Sequence, residues 1–104
     1  MAQLTDETPS IAAYVGEILD LVFDFGNVPE IRAGGTLSSP SVPAVSGITI
    51  ASVAVTTVDK EGVPAGQGVQ CLLTMTATGT YTVNAYANIS NGAKRRRGVK
   101  IVVF

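Results

Sequence analysis

Polar and apolar positions alternate most regularly in the last third of the chain. From Gly79 to Ile89, Tyr81, Val83, Ala85, Ala87 and Ile89 fall on one side, and Thr80, Thr82, Asn84, Tyr86 and Asn88 on the other. A period of two is the mark of a strand with one buried face. Ser90-Asn-Gly-Ala93 follows, and Asn91 and Gly92 tolerate the positive φ that a tight reversal needs. Lys94 to Phe104 then reads as the partner strand, so the pattern predicts a closing antiparallel hairpin.

The same reading carries back along the chain. From Ile18, the residues Leu19, Leu21, Phe23 and Phe25 share a face opposite Asp20 and Asp24, which predicts a strand whose aromatics anchor the core. Gly26-Asn27 and Pro29 end it. Pro40 and Pro43 each lack a ladder donor, so residues 36–45 are expected at a sheet edge or in a loosely paired stretch. The β-branched run Ile48-Thr-Ile-Ala-Ser-Val-Ala-Val-Thr-Thr57 slips phase in its middle, and a bulge near Ala51 or Ser52 accounts for the slip. A Gly/Pro-rich loop over residues 59–68 precedes a further strand at Val69 to Met75. About six or seven short strands with a turn signal roughly every ten residues predict a sandwich or barrel.

Within this pattern Ala77-Thr-Gly79-Thr-Tyr81-Thr-Val83 resembles the immunoglobulin-type Asp-x-Gly-x-Tyr-x-Cys signature. In that signature the tyrosine hydroxyl returns to the backbone upstream of its strand. Ala77 stands in the place of the aspartate and Val83 in that of the cysteine, which implies a disulfide-free relative. The expected fold is therefore an all-β, immunoglobulin-like antiparallel β-sandwich over residues 17–104, preceded by an N-terminal arm over residues 1–16. Tyr81 is its structural tyrosine corner.

Composition narrows the function. At 104 residues the chain is one domain. Hydrophobic residues make up 46% and charged ones 14%, with a mean hydropathy of +0.36. That balance is rich for a small body with much surface to cover, and it implies that a partner covers part of it. No apolar run approaches the ~20 residues of a membrane-spanning helix. Asp6 and Glu7, with no Lys or Arg before Ser10, give the start the wrong charge for a secretory leader, so the chain is expected to stay in the cytoplasm where it is made.

Candidate chemistry is sparse. The chain has no His and a single cysteine, Cys71, so neither an intrachain disulfide nor a Cys/His zinc site can be built. Cys71 has no imidazole to act as its base, and Val69, Leu73 and Met75 share its face, which makes it a buried structural thiol. Asp20 and Asp24 lie four apart along a strand, about 13 Å by strand rise, too wide for the ~5 to 9.5 Å of a glycosidase pair. Asp59 and Glu61 alone do not make a calcium loop. No catalytic residue, cofactor or metal ligand is expected.

Net charge is −1, yet the charges are segregated. Asp6, Glu7, Glu17, Asp20, Asp24 and Glu30 precede the first basic residue, Arg32, and Lys94, Arg95, Arg96, Arg97 and Lys100 crowd the end. Strand alternation splits the basic run, with Arg95 and Arg97 on one side and Lys94 and Arg96 on the other. With no interleaved stacking aromatics, nucleic acid is not an expected partner. The expected interface pairs Asp20 and Asp24 with Arg95 and Arg97, within one subunit or between two. In the arm, Ile11, Tyr14 and Val15 form an apolar patch for assembly.

Three stretches carry a resemblance. They are Ile18-Leu-Asp-Leu-Val-Phe-Asp-Phe25 followed by Ala33-Gly-Gly-Thr-Leu37, then Ile48-Thr-Ile-Ala-Ser-Val-Ala-Val55, then Gly79-Thr-Tyr-Thr-Val83 with its Asn-Gly turn and Arg95-Arg-Arg-Gly-Val-Lys-Ile-Val-Val103. In this order and spacing they resemble the small fibre-tail adaptors of tailed bacteriophages, over roughly residues 18–103. The likeness implies a non-enzymatic β-sandwich virion component, made in the host bacterial cytoplasm and assembled as a homo-oligomer with tail, fibre or capsid subunits. Two other classes fit the same residues: a capsid decoration protein and an immunoglobulin-like adhesion module.

Overall fold

The computed structural model describes residues 9–104. Seven strands and one short helix follow in the order β1 (Ser10–Ala13), β2 (Ile18–Asp24), α1 (Pro29–Arg32), β3 (Leu37–Ser41), β4 (Ile48–Val55), β5 (Gly68–Met75), β6 (Gly79–Ile89) and β7 (Lys94–Val103). They form a four-stranded sheet, β1-β7-β6-β3, and a three-stranded sheet, β2-β5-β4. The two make an all-β, sandwich-like body.

The longest ladder joins β6 to β7, from Gly79 opposite Val103 to Asn88 opposite Lys94. Gly92 takes φ +97 in the turn, where the Ile89 N–H donates to the Ala93 carbonyl at 2.7 Å. Alternation along this hairpin buries Val83, Ala85, Ala87 and Ile89 from β6, and Val99, Ile101 and Val103 from β7. Facing them are Val69, Cys71, Leu73 and Met75 of β5, with Phe23 and Phe25 beside them. Phe25, just past the end of β2, is fully enclosed in the same core as the two small alanines.

Edges follow local sequence. β3 is the outer strand of its sheet, where Pro40 has no ladder donor to lose, and its register shifts between Ser38 and Ser41 with Ser39 at φ +49. β4 shifts register between Ala51 and Ala54 around Ser52 at φ +58, the bulge that the phase slip required. One element has no hydropathy signal. Pro29 starts the helical turn α1 directly after Val28, with its ring already at helical φ. Ile31 is buried beneath that turn. Gly35 passes so close that an added Cβ would sit 2.7 Å from the Glu30 carbonyl and 3.1 Å from Ile89.

Two expectations are corrected. The sandwich is not antiparallel throughout, because β1 runs parallel to β7 with Ser10 opposite Lys100 and Ala13 opposite Val103. Residues 10–13 therefore belong to the sheet and not to a separate arm: Ala13 is buried, and the Lys100 N–H donates to the Pro9 carbonyl at 2.8 Å. Small Ala12 and Ala13 and half-buried Ile11 fit an edge strand, a length too short to show as a periodic signal. The first part of the expected arm, residues 1–8, lies outside the described residues.

Tyr81, at the start of β6, sends its hydroxyl back to the Ala77 carbonyl at 3.0 Å and the Thr78 carbonyl at 2.9 Å. Its ring lies against Gly47, whose φ is +97 and which leaves no room for a side chain. Tyr81→Phe is expected to lower stability by about 1 kcal/mol through the lost hydrogen bond, and Gly47→Ala by more, because positive φ and overlap with the ring add. Urea unfolding checks both. A Gly47→Ala protein as stable as the parent would show that the ring moves freely.

Candidate functional site

The chain passes from one sheet to the other through a turn at residues 14–17 that is pinned on all sides. The Tyr14 N–H donates to Glu17 Oε1 at 2.7 Å, and the Glu17 N–H returns to the Tyr14 carbonyl at 3.0 Å. Gly16 donates to the Met75 carbonyl at 2.8 Å, Val15 to the Phe104 carbonyl at 3.2 Å, and Phe104 to the Ala13 carbonyl at 2.9 Å. This rigid turn leaves apolar side chains outside: Tyr14 is 65% exposed, Phe104 59% and Val15 48%, with Ile18 at the start of β2 64% exposed. The Tyr14 and Phe104 rings lie 5.8 Å apart, tilted at 46°. Of the three patch residues expected from sequence, Tyr14 and Val15 are on this surface, whereas Ile11 packs against the core opposite Ile101. Phe104 joins them unforeseen. The alternation that buries Val99, Ile101 and Val103 already places residue 104 on the other side.

The expected charge pairing is not what forms within the chain. Asp20 and Asp24 project from β2 in one sheet, and Arg95 and Arg97 sit on β7 in the other, in register with buried Ala87 and Ala85. Arg95 instead grips Glu30 of α1 in a bidentate pair, Nη2 to Oε2 at 2.7 Å and Nε to Oε1 at 3.1 Å. Hydrogen bonds from Arg95 hold the Glu30 carboxyl below the usual carboxylate range, and those to Glu30 raise the guanidinium. The Arg97 guanidinium lies 5.7 Å from the centre of the Phe25 ring and donates to the Arg96 carbonyl at 2.9 Å. Asp20 takes Lys60 at 2.7 Å, and Asp24 closes a turn by accepting the Gly26 N–H at 2.7 Å.

Cys71 is buried inside the sandwich, and burial, with the charge of Asp20 adding, pushes its thiol up to about 11. Such a thiol is poorly suited to nucleophilic work at neutral pH. Among the described residues no group of three or more His, Cys, Asp or Glu side chains comes together to hold a metal ion. No described helix is long and apolar enough to cross a membrane. An open cleft of about 490 Å³ lies beside Glu30, Gly34 and Asn91.

No family model and no curated protein matches the chain. The solution structure of amebosin is similar to it, with a TM-score of 0.54 and 14% sequence identity over 95% of this chain and 91% of that one. The likeness is one of fold alone.

Two titrations test the Glu30–Arg95 pair and the buried thiol. Because Arg95 depresses the folded Glu30 pKa, the pair contributes stability above the ordinary carboxylate range and loses it as pH falls through the folded value. Unfolding midpoints of the parent and Glu30→Gln are therefore expected to differ at pH 7 and to converge in acid. A constant gap would assign the effect to packing. For Cys71 the folded thiol titrates above the unfolded one, so stability is full below the ordinary thiol pKa of ~8.5 and declines as pH rises from there toward about 11. Ellman's reagent is expected to leave native protein unlabelled at pH 8 and to label it after unfolding. Prompt labelling of folded protein would contradict a closed interior.

Proposed function

We propose that the chain is a non-enzymatic structural subunit of a tailed-bacteriophage particle, a fibre-tail adaptor that assembles as a homo-oligomer among other virion proteins. The observation that carries an assembly role is the cluster of Tyr14, Val15 and Phe104, three large apolar side chains left in the open at a turn whose four N–H groups all donate hydrogen bonds. Burying such a patch on a neighbour gains area at little ordering cost, since the backbone beneath it is already fixed. The order of the sequence motifs directs that role to the phage tail. In this reading neither nucleic acid nor membrane is a partner, no cofactor is required, and the protein works in the virion after synthesis in the host cytoplasm.

The finer fold assignment within this proposal is immunoglobulin-like. Taking β2, β5 and β4 as the B, E and D strands, and β3, β6 and β7 as C, F and G, reproduces the two-sheet grouping of that fold. Tyr81 then stands at the start of strand F, with its hydroxyl on the upstream backbone. The first strand departs from the constant-type arrangement, lying beside G instead of B.

Immunogold electron microscopy of virions from the phage encoding this chain is expected to place label at the tail or its tip. Label over the head would make the protein a capsid decoration protein. Particles free of label would overturn the virion reading in favour of a free adhesion module.

A further inference from the structure

Resolving the strand pairing changes which basic residues are available. Arg95 and Arg97 point inward and are engaged, but Lys94, Arg96 and Lys100 alternate outward along β7 and are all exposed. Their cross-strand neighbours on β6 are Asn88, Tyr86 and Thr82, so the middle of this outer sheet face is polar and carries no carboxylate. The Lys94 ammonium rests 5.4 Å from the centre of the Tyr86 ring. Among the described residues, none of the three forms an ion pair.

The opposite sheet shows the opposite sign. Asp20 and Asp24 are exposed on the outer positions of β2. Lys60 reaches Asp20 from a loop whose neighbouring residues, Asp59 and Glu61, are also exposed. Asp20 and Asp24 against Lys60 leave this side at 1 − 2 = −1, to which the adjoining loop adds Glu61 and Asp59, the latter accepting the Ala65 N–H at 2.9 Å, while Lys94, Arg96 and Lys100 give the other side +3. The thinnest dimension of the molecule is 23 Å, well beyond the ~8 Å over which charges act at physiological ionic strength. The two faces therefore do not neutralise each other through the body, and each is left to a partner.

We propose that the outer face of the four-stranded sheet, through Lys94, Arg96 and Lys100, docks on the acidic outer face of the three-stranded sheet of a second copy. This deepens the homo-oligomer reading of the proposed function and rests on it only for the setting in the particle. The contact is heterologous: one face of each copy meets the other face of the next, so repetition gives a ring or an open stack and not a closed two-fold dimer. It also reassigns the basic half of the expected charge pairing from Arg95 and Arg97 to their outward neighbours.

Complementation of half-disabled copies tests it by sedimentation in 50 mM salt. Lys94→Glu/Arg96→Glu/Lys100→Glu removes the basic face and keeps the acidic one. Asp20→Asn/Asp24→Asn/Glu61→Gln does the reverse while retaining hydrogen-bond acceptors. The parent is expected to associate, with a dissociation constant at least about tenfold weaker in 300 mM salt. Each variant alone is expected to be monomeric, and an equimolar mixture to stop at a one-to-one pair. Circular dichroism confirms folding, and Lys94→Gln/Arg96→Gln/Lys100→Gln replaces the reversal variant should that fail to fold. A parent that stays monomeric at low salt, or variants that associate as the parent does, overturns the proposal. Either result leaves the location of the protein in the particle to microscopy. Complementation by a protein absent from virions would sink the phage reading and keep the contact.

Discussion

The ladder between β6 and β7 sets the position of nearly every other element. Its inner face is the floor on which β5, Phe23 of β2 and Phe25 just past it pack, its far edge receives β1, and its near edge receives β3. Register is the constraint that matters: a slip by one residue would turn Val83, Ala85, Ala87 and Ile89 out to water and bring Thr and Asn into the core. The Asn-Gly turn fixes that register at one end, and Tyr81, bonded to the chain just before its own strand, holds the other.

The same register sorts the basic run. Placing Val99 inward forces Arg97 and Arg95 inward as well, at the end of the sandwich where the core runs out. Each finds a partner there, while the Arg95 side chain keeps 41% of its surface exposed. Arg95 meets the bidentate carboxylate of Glu30, delivered by a helical turn that Pro29 starts and Gly35 leaves room for. Arg97 lays its guanidinium by the Phe25 ring. Lys94, Arg96 and Lys100 remain in solvent because they occupy the alternate positions. Four consecutive cations thus divide into two that finish the core and two that, with Lys100, define a surface.

Much of this was legible beforehand in residues whose neighbours are local. The hairpin over residues 79–103, the strand with Phe23 and Phe25, the bulge near Ser52 and the edge placement forced by Pro40 depend on alternation, turn residues and missing donors, which are properties of consecutive positions. The short strand at Ser10–Ala13 was missed because four residues carry no usable period, and its strand character comes from the open edge of β7. The helical turn at Pro29–Arg32 was missed for the same reason. The charge pairing does not form within the chain, because segregation along the sequence does not say which sheet a strand joins.

Sequence by itself determined the all-β class, the inward and outward sets of β2, β5 and β6, and the enclosure of Cys71, because period-two patterning ties burial to residue type. Tertiary structure alone decided that β2 and β7 lie in opposite sheets, that Glu30 and not Asp20 or Asp24 meets Arg95, and that Phe104 joins Tyr14 at the end of the body. Those choices depend on how distant strands order themselves within two sheets, and the hydropathy of a strand is the same whichever edge it occupies.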